Sequence, residues 1–415
     1  MTLSPHSCRQ DGSLVGTTEL GGKNHDGTLF DVTLGGTIDF LHSFSNPGSY
    51  PPDPEGLTLG LNGNFYGTSY HDGTSFVGTI YELSAAGDYQ VLHEFAGTDG
   101  ANPDGALVLG LDGNFYGTTY MGGANNTGTV FKITPAGAFT SIYSFGTGGT
   151  GAYPEGTLAL GPDGNFYGTT TEGGYLNQGT VFKVTSGGTL TILHQFTGKQ
   201  ETQPTRGLTV GSDGNLYGTV SYPANYPGIV FKIAPHVGYT VLHTFSGPDG
   251  YGPASVLVPG SDGNLYGVTG GGGANGYGTL YQITTTGTLT TVYSFAKADG
   301  VYAEGFVQHT NGAFYGSSAS GGANDDGSIF SVNTGLAPFV GLVRPFGAVG
   351  STVQILGQGL TGTTGVSFNG VPALTFTVEA DTFMTAVVPT GATTGPVTIT
   401  TPGGTLTSNM NFTVR

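Results

Sequence analysis

Glu55, Asp104, Glu155, Arg206, Ser255 and Glu304 each stand twelve or thirteen residues before the glycine of a recurring Phe-Tyr-Gly or Leu-Tyr-Gly tripeptide. If the recurrence is structural, symmetry sets these side chains next to one another. Four carboxylates and one guanidinium then make a broken ring, which suits an asymmetric ligand. Two carboxyl groups about 5 to 10 Å apart could serve as acid and base in glycoside hydrolysis. The same oxygens could hold Ca2+, the one cofactor the pattern allows. Spacing establishes neither, and the plainer reading is a set of solvated loop charges, each beside a small residue.

Tyr70, Tyr120, Tyr175, Tyr222, Tyr226 and Tyr277 follow the tripeptides, among Asn and Gly. Tyrosine offers a flat apolar face with a polar tip, which suits stacking on sugars or on a protein partner. The alternative is that they prop up neighbouring loops. Residues present in every copy are poorer candidates, because a catalytic group must break the symmetry. The Asp-Gly pairs and His42, His93, His194 and His243, replaced by Tyr143 and Tyr293 in two copies, therefore read as structural. One histidine per copy cannot converge on a metal, so no metal site is expected. There is no P-loop, HExxH, GxSxG or CxxC, and the chain leans away from being an enzyme.

The elements that must position these groups come from the repeat. DGSLVGT, NGNFYGT, DGNFYGT (twice), DGNLYGT, DGNLYGV and NGAFYGS end on Gly16, Gly67, Gly117, Gly168, Gly218, Gly267 and Gly316, spaced by 49 to 51 residues. Gly and Pro make up 78 and 22 of the 415 residues, a composition bordering on disorder, but a regular period overrides that reading. Each unit reads as four short strands. An apolar run meets an Asp-Gly or Asn-Gly turn, the Phe-Tyr strand follows, and a Gly/Asn-rich loop leads to a strand such as GTVFKI. A glycine turn then opens a last strand ending LHSF or its variants. Four strands and about 50 residues per unit indicate propeller blades. The expectation is an all-β, seven-bladed β-propeller over residues 11–336, with long loops gathered on one face as the candidate site.

The absence of Trp argues against WD and kelch repeats. The DGNFYGTT, GTVFKIT and LHSF pattern closely resembles the GloVer tandem repeat of exported bacterial proteins over residues 11–333; NHL repeats share a DGNLYV-like strand. The resemblance implies a location more than a chemistry. The seventh copy stops after its third strand at residues 328–333, and residues 1–10, a poorly defined segment, are too short to supply the missing strands at both ends. A start further upstream is expected, which would also account for the missing signal-peptide apolar region.

After TGLAP the texture changes to Thr, Val and Gly, and alternation in STVQILG, GVSFNG, FTVEA and GPVTITTP marks a small immunoglobulin-like β-sandwich over residues 337–415, expected to fold alone. Gly347, Gly350, Val353, Ile355, Phe368, Asn369, Gly370, Pro389, Pro396 and Phe412 give this stretch a close resemblance to the IPT/TIG domain. That resemblance implies a spacer or adhesive module.

With 27 acidic against 10 basic residues and a net charge of −17, the chain lacks the basic footprint of a nucleic-acid binder or of a protein that docks on anionic membranes. No apolar run reaches the length of a membrane span, and Cys8 has no partner for an internal disulfide. The expectation is an extracellular or cell-surface binding or adhesion protein. Its propeller face would recognise a glycan or a surface protein through Glu55, Asp104, Glu155, Arg206, Glu304, Tyr70, Tyr120 and Tyr175. The rival is a polysaccharide hydrolase or lyase using the same carboxylates.

Overall fold

The computed structural model describes residues 8–45, 50–146, 149–198, 203–204, 206–221, 227–234 and 238–415. Among the described residues every regular element is a strand. Seven small sheets follow one another along the chain up to residue 332, each from one copy of the repeat, and three more sheets follow them. The third copy shows the plan. Its inner strand comes in two pieces, Ala101–Pro103 and Val108–Leu109, both paired with Phe115–Met121; Thr129–Ile133 and Phe139–Ser144 complete the sheet outward.

The motif explains this plan. Asp112 accepts from the Asn114 side chain at 2.7 Å and from the Tyr116 hydroxyl at 2.9 Å, so the turn residue fixes both its own turn and the strand after it. The tripeptide glycine lies opposite an aromatic of the third strand, as Gly117 opposite Phe131 and Gly168 opposite Phe182. A methyl group on Gly117 would stand 2.5 Å from Phe131 Cζ, so the ring lies across the glycine and only hydrogen fits there. Threonines deeper in the sheet satisfy each other: Thr119 with Thr129 at 2.8 Å, Thr170 with Thr180 at 2.9 Å. Hydroxyl pairing lets β-branched side chains sit in a dry interior without an orphaned polar group.

Buried clusters join each sheet to the next. Tyr66, Leu107, Phe115 and Phe131 link the second and third, and Tyr116, Phe145, Phe166 and Phe182 the third and fourth. Leu14, Phe30 and Val32 of the first sheet pack with Val307 of the seventh. Cys8 and Arg9 lie against the start of the first sheet: Cys8 bridges to Leu14, and the Arg9 N–H donates to the Ser13 carbonyl at 2.9 Å. The first and seventh sheets have three strands each.

In the C-terminal region two four-stranded antiparallel sheets enclose Val353, Ile355, Val366, Phe368, Met384, Val397, Ile399 and Phe412. This region is not held by its junction alone. Val343 and Leu356 pack on the cluster between the first two sheets. Gln354 donates to the Leu61 carbonyl at 2.9 Å, Gln358 to Thr310 Oγ1 at 3.2 Å, and Arg415 to the Pro162 carbonyl at 2.7 Å. These contacts fall at or beside the turns that join inner and second strands, so the C-terminal region lies on the side away from the long loops.

Candidate functional site

The acidic position of the repeat is built by the glycines beside it. A methyl group on Gly105, with φ of +123°, would stand 2.7 Å from the carbonyl carbon of Gly156; one on Gly156, at φ +83°, would stand 2.5 Å from the Gly207 nitrogen. The inner chains of the third, fourth and fifth copies therefore meet backbone to backbone. The residues just before these glycines, Asp104, Glu155 and Arg206, are carried into adjacency. The Gly156 N–H donates to the Asp104 carboxylate, and the Ala106 N–H donates to Thr157 Oγ1 at 3.0 Å, tying one copy to the next.

The approach to this position is equally constrained. Asp53, Asn102, Tyr153 and Tyr302, each two residues ahead of an acid, adopt left-handed φ values of 53° to 57°. Non-glycine residues rarely do so, and the surroundings must hold them there. The Asn102 N–H donates to the Val77 carbonyl at 2.6 Å and that of Tyr153 to Thr127 at 2.8 Å, each in the preceding copy. The next residue, Pro103 or Pro154, presses on Gly78 or Gly128 of that copy.

The charges within this cluster act on one another. Burial first, then Asp104 and Asp53, push the Glu55 carboxyl well above the usual range, while Arg206 pulls it down. Burial raises Asp104 to about 6 against the pull of Arg206. Burial and then Asp104 raise Glu155 to about 8. Asp53, raised to about 6, is pushed by burial and then by Glu19 and Glu304. At neutral pH Glu155 thus keeps its proton beside a mostly ionised Asp104. Glu55, Asp104 and Glu155 are partly exposed, and Arg206 and Glu304 are exposed, so the cluster is open to solvent.

Tyr70 and Tyr120 join it. After burial, Asp104, Tyr120 and Glu155 raise the Tyr70 phenol, and Glu155 then Glu172 raise that of Tyr120. Tyr70 is seated by its N–H on the Asp53 carbonyl at 3.0 Å, and the Tyr120 ring lies 5.1 Å from Tyr153. Tyr175 stands apart: it is 85% exposed, and its N–H donates to Gln195 on the outermost strand at 2.7 Å. The reason is register, since Thr171 holds the place of Tyr70 and Tyr120 in that copy. Ser255 is buried and accepts from the Val268 N–H. Tyr277 packs on the core between the sixth and seventh sheets, and Tyr222 and Tyr226 lie outside the described residues. Sequence reasoning missed Asp53 and Glu19. The signal was present, since Asp53 stands two residues before Glu55 in the run Pro52-Asp53-Pro54-Glu55-Gly56 and Glu19 holds the Tyr70 position in the first copy. Among the described residues no group of three or more His, Cys, Asp and Glu is spaced to hold a metal ion.

The family model of the Gloeobacter/Verrucomicrobia repeat matches residues 4–226 and 211–365. The chain belongs to this repeat family. A comparison with curated proteins found no match. Among solved structures, the Gloeobacter/Verrucomicrobia repeat chain is similar to a protein assigned as a 6-phosphogluconolactonase from Bacteroides uniformis, at 17% identity and a TM-score of 0.53, over 78% of this chain and 96% of that one. It is similar to a fungal alcohol oxidase of the AA5 family solved with copper, at 12% identity and a TM-score of 0.51, over 99% and 98%. A gluconolactonase from Xanthomonas campestris matches at 13% identity and a TM-score of 0.40, over 77% and 84%. At these identities the likeness to the first two shows a propeller-type, all-β fold and nothing of activity.

Proposed function

We propose that the seven sheets form a closed seven-bladed propeller, that residues 337–415 are an immunoglobulin-like domain of the IPT/TIG kind, and that the acidic cluster at one mouth of the channel binds a glycan outside the cell. One observation carries the site: Asp104, Glu155 and Arg206 are brought side by side by glycine contacts, with the phenols of Tyr70 and Tyr120 within electrostatic reach. A neutral, hydroxyl-rich ligand matches such a surface. Sugar hydroxyls both donate and accept, so they can meet a protonated carboxyl, an ionised one and a guanidinium at once. The tyrosines supply faces for the apolar side of a pyranose ring. A bare phosphate or sulfate would be repelled by the surrounding carboxylates.

A second reading rests on the separation of two acidities. A carboxyl that keeps its proton at pH 7 beside one that loses it is the arrangement glycoside hydrolysis uses, the first giving a proton to the leaving oxygen. One experiment addresses both readings. The protein is laid on a broad polysaccharide array, and retention and released sugar ends are scored separately. Retention without release, weakened by Tyr120→Ala, supports binding. Release abolished by Glu155→Gln while retention persists supports hydrolysis. Neither retention nor release on any glycan sinks both.

A further inference from the structure

The outermost strand in each of the first six copies ends in a buried phenylalanine, among them Phe44, Phe95, Phe145 and Phe196. That strand pairs along the whole third strand of its sheet, as residues 139–144 do with Thr129–Ile133. The third strand of the seventh copy, Ser328–Val332, has no such neighbour among the described residues.

Both flanks of this edge carry surfaces that are covered elsewhere. Between successive copies, the ring at the fifth position of one outer strand stacks on the first residue of the next: His42 on Tyr89 at 4.0 Å, His93 on Phe139 at 3.8 Å, His194 on Tyr239 at 4.1 Å. Tyr293 holds the fifth position in the sixth copy, where the next copy brings no outer strand, and it is 39% exposed. Ile38 holds the first position in the first copy and is 42% exposed. Phe330 keeps 9% exposure where Phe131, Phe182 and Phe231 have none. A groove of about 430 Å³ opens here, lined by Tyr293, Phe295, Asp299, Ile329, Phe330 and Val332.

We propose that this groove binds an extended peptide strand from a partner protein that carries the outer-strand pattern of the other six copies. The pattern is a ring or large aliphatic at the first position, Leu, Ile or Val at the fourth, His or Tyr at the fifth, and Phe at the seventh. Such a strand pairs antiparallel with residues 328–332, as every other outer strand does with its third strand. Its first residue lies on Tyr293, its fifth covers Ile38, and its Phe enters the interior beside Phe330. Main-chain hydrogen bonds give the affinity and the alternate side chains the selectivity, as in strand addition to a sheet edge. The six filled copies of the same molecule are the template for the occupant. This site lies at the outer rim and does not depend on the glycan reading.

The test adds a labelled peptide with the sequence of residues 190–196, LTILHQF, to the intact protein. Saturable one-to-one binding is expected, with slowed amide hydrogen exchange at residues 328–332 and a raised Tm. Tyr293→Ala, at a 39% exposed position whose ring touches the core only at the edge of Phe295, is expected to weaken binding about 2- to 10-fold. A peptide N-methylated at alternate amides keeps its side chains but cannot pair, and is expected not to bind. The proposal is overturned by absence of saturation up to about 1 mM, or by binding that N-methylation leaves intact. It is also overturned if the free protein sediments as a dimer with residues 328–332 already protected, since the edge would then belong to a second copy.

Discussion

The hydroxyls of Tyr116, Tyr167, Tyr217 and Tyr266 each donate to the turn aspartate four residues earlier, at 2.7 to 3.0 Å. In the second copy that turn residue is Asn62, and Tyr66 donates instead to Glu82 at 2.6 Å, from the position that Lys132, Lys183 and Lys232 hold in the next three copies. The carboxylate has crossed from turn to strand while the bond is kept. Glu82→Lys is therefore expected to cost about 1–2 kcal/mol in denaturant unfolding, and Asn62→Asp in the same chain to restore most of it. Strictly additive single and double variants would refute the exchange. The acidic cluster gives a second expectation. Asp53, Asp104 and Glu155 keep protons in the folded chain at pH values where the unfolded chain has released them. Their contribution to stability is therefore full in acid, below the ordinary carboxylate range, and is lost as pH rises towards about 8. Glu155→Gln is expected to flatten the fall in Tm between about pH 5 and pH 8, recovering about 1 kcal/mol or ~2 °C at the upper end after screening by solvent. Melting curves that rise over this interval in the parent protein would contradict it.

At the scale of single strands and turns, the repeated glycines answer two different needs. Gly117 has no left-handed φ but lies under the Phe131 ring, whereas Gly113 holds φ at +77° yet has room around it, with nothing within 4 Å of where a methyl group would stand. Gly117→Ala is expected to destabilise by about 2–4 kcal/mol through overpacking, and Gly113→Ala by about 1 kcal/mol through backbone strain alone. Equal losses in thermal melts would mean that the ring over Gly117 moves aside freely. The histidines of the outer strands belong to this scale too. His42, His93 and His194 stack on the next copy, and His93 and His243 are tied to Asp99 and Asp249 at 3.0 and 2.8 Å.

For the molecule as a whole, the C-terminal region both closes a core of its own and packs on the repeat sheets. It has a core of its own, so residues 337–415 alone are expected to fold. The reverse does not hold equally. Removing them uncovers the cluster of Leu57, Leu59 and Phe65 that Val343 and Leu356 help to close, and strips the bonds at Leu61 and Thr310. Residues 1–336 are expected to melt several degrees below the full chain, by roughly 2–4 kcal/mol of lost burial. A truncated chain with an unchanged Tm would show the contact to be incidental.

The sequence by itself determined the copy number, the strand order within a copy and the turns, because each depends on local chemistry that recurs from copy to copy; it also read the outer-strand histidines, present in four copies, as structural. It also marked the acidic position, which stands twelve residues before Gly67 and thirteen before Gly117 and Gly168. Which of these residues meet was decided only by tertiary structure. Tyr175 looked like Tyr70 and Tyr120 by composition, but it stands further along its loop and is carried out to the rim. Asp53 was passed over in the sequence, but with a left-handed backbone at φ 53° it joins the cluster. The groove beside Ser328–Val332 was visible in the sequence only as a missing strand. Its character as a surface depends on Tyr293 and Ile38, about 250 residues apart in the chain. Local pattern fixes what each element is. The approach of elements distant in sequence fixes what they can bind, because burial and charge coupling exist only once the chain has folded.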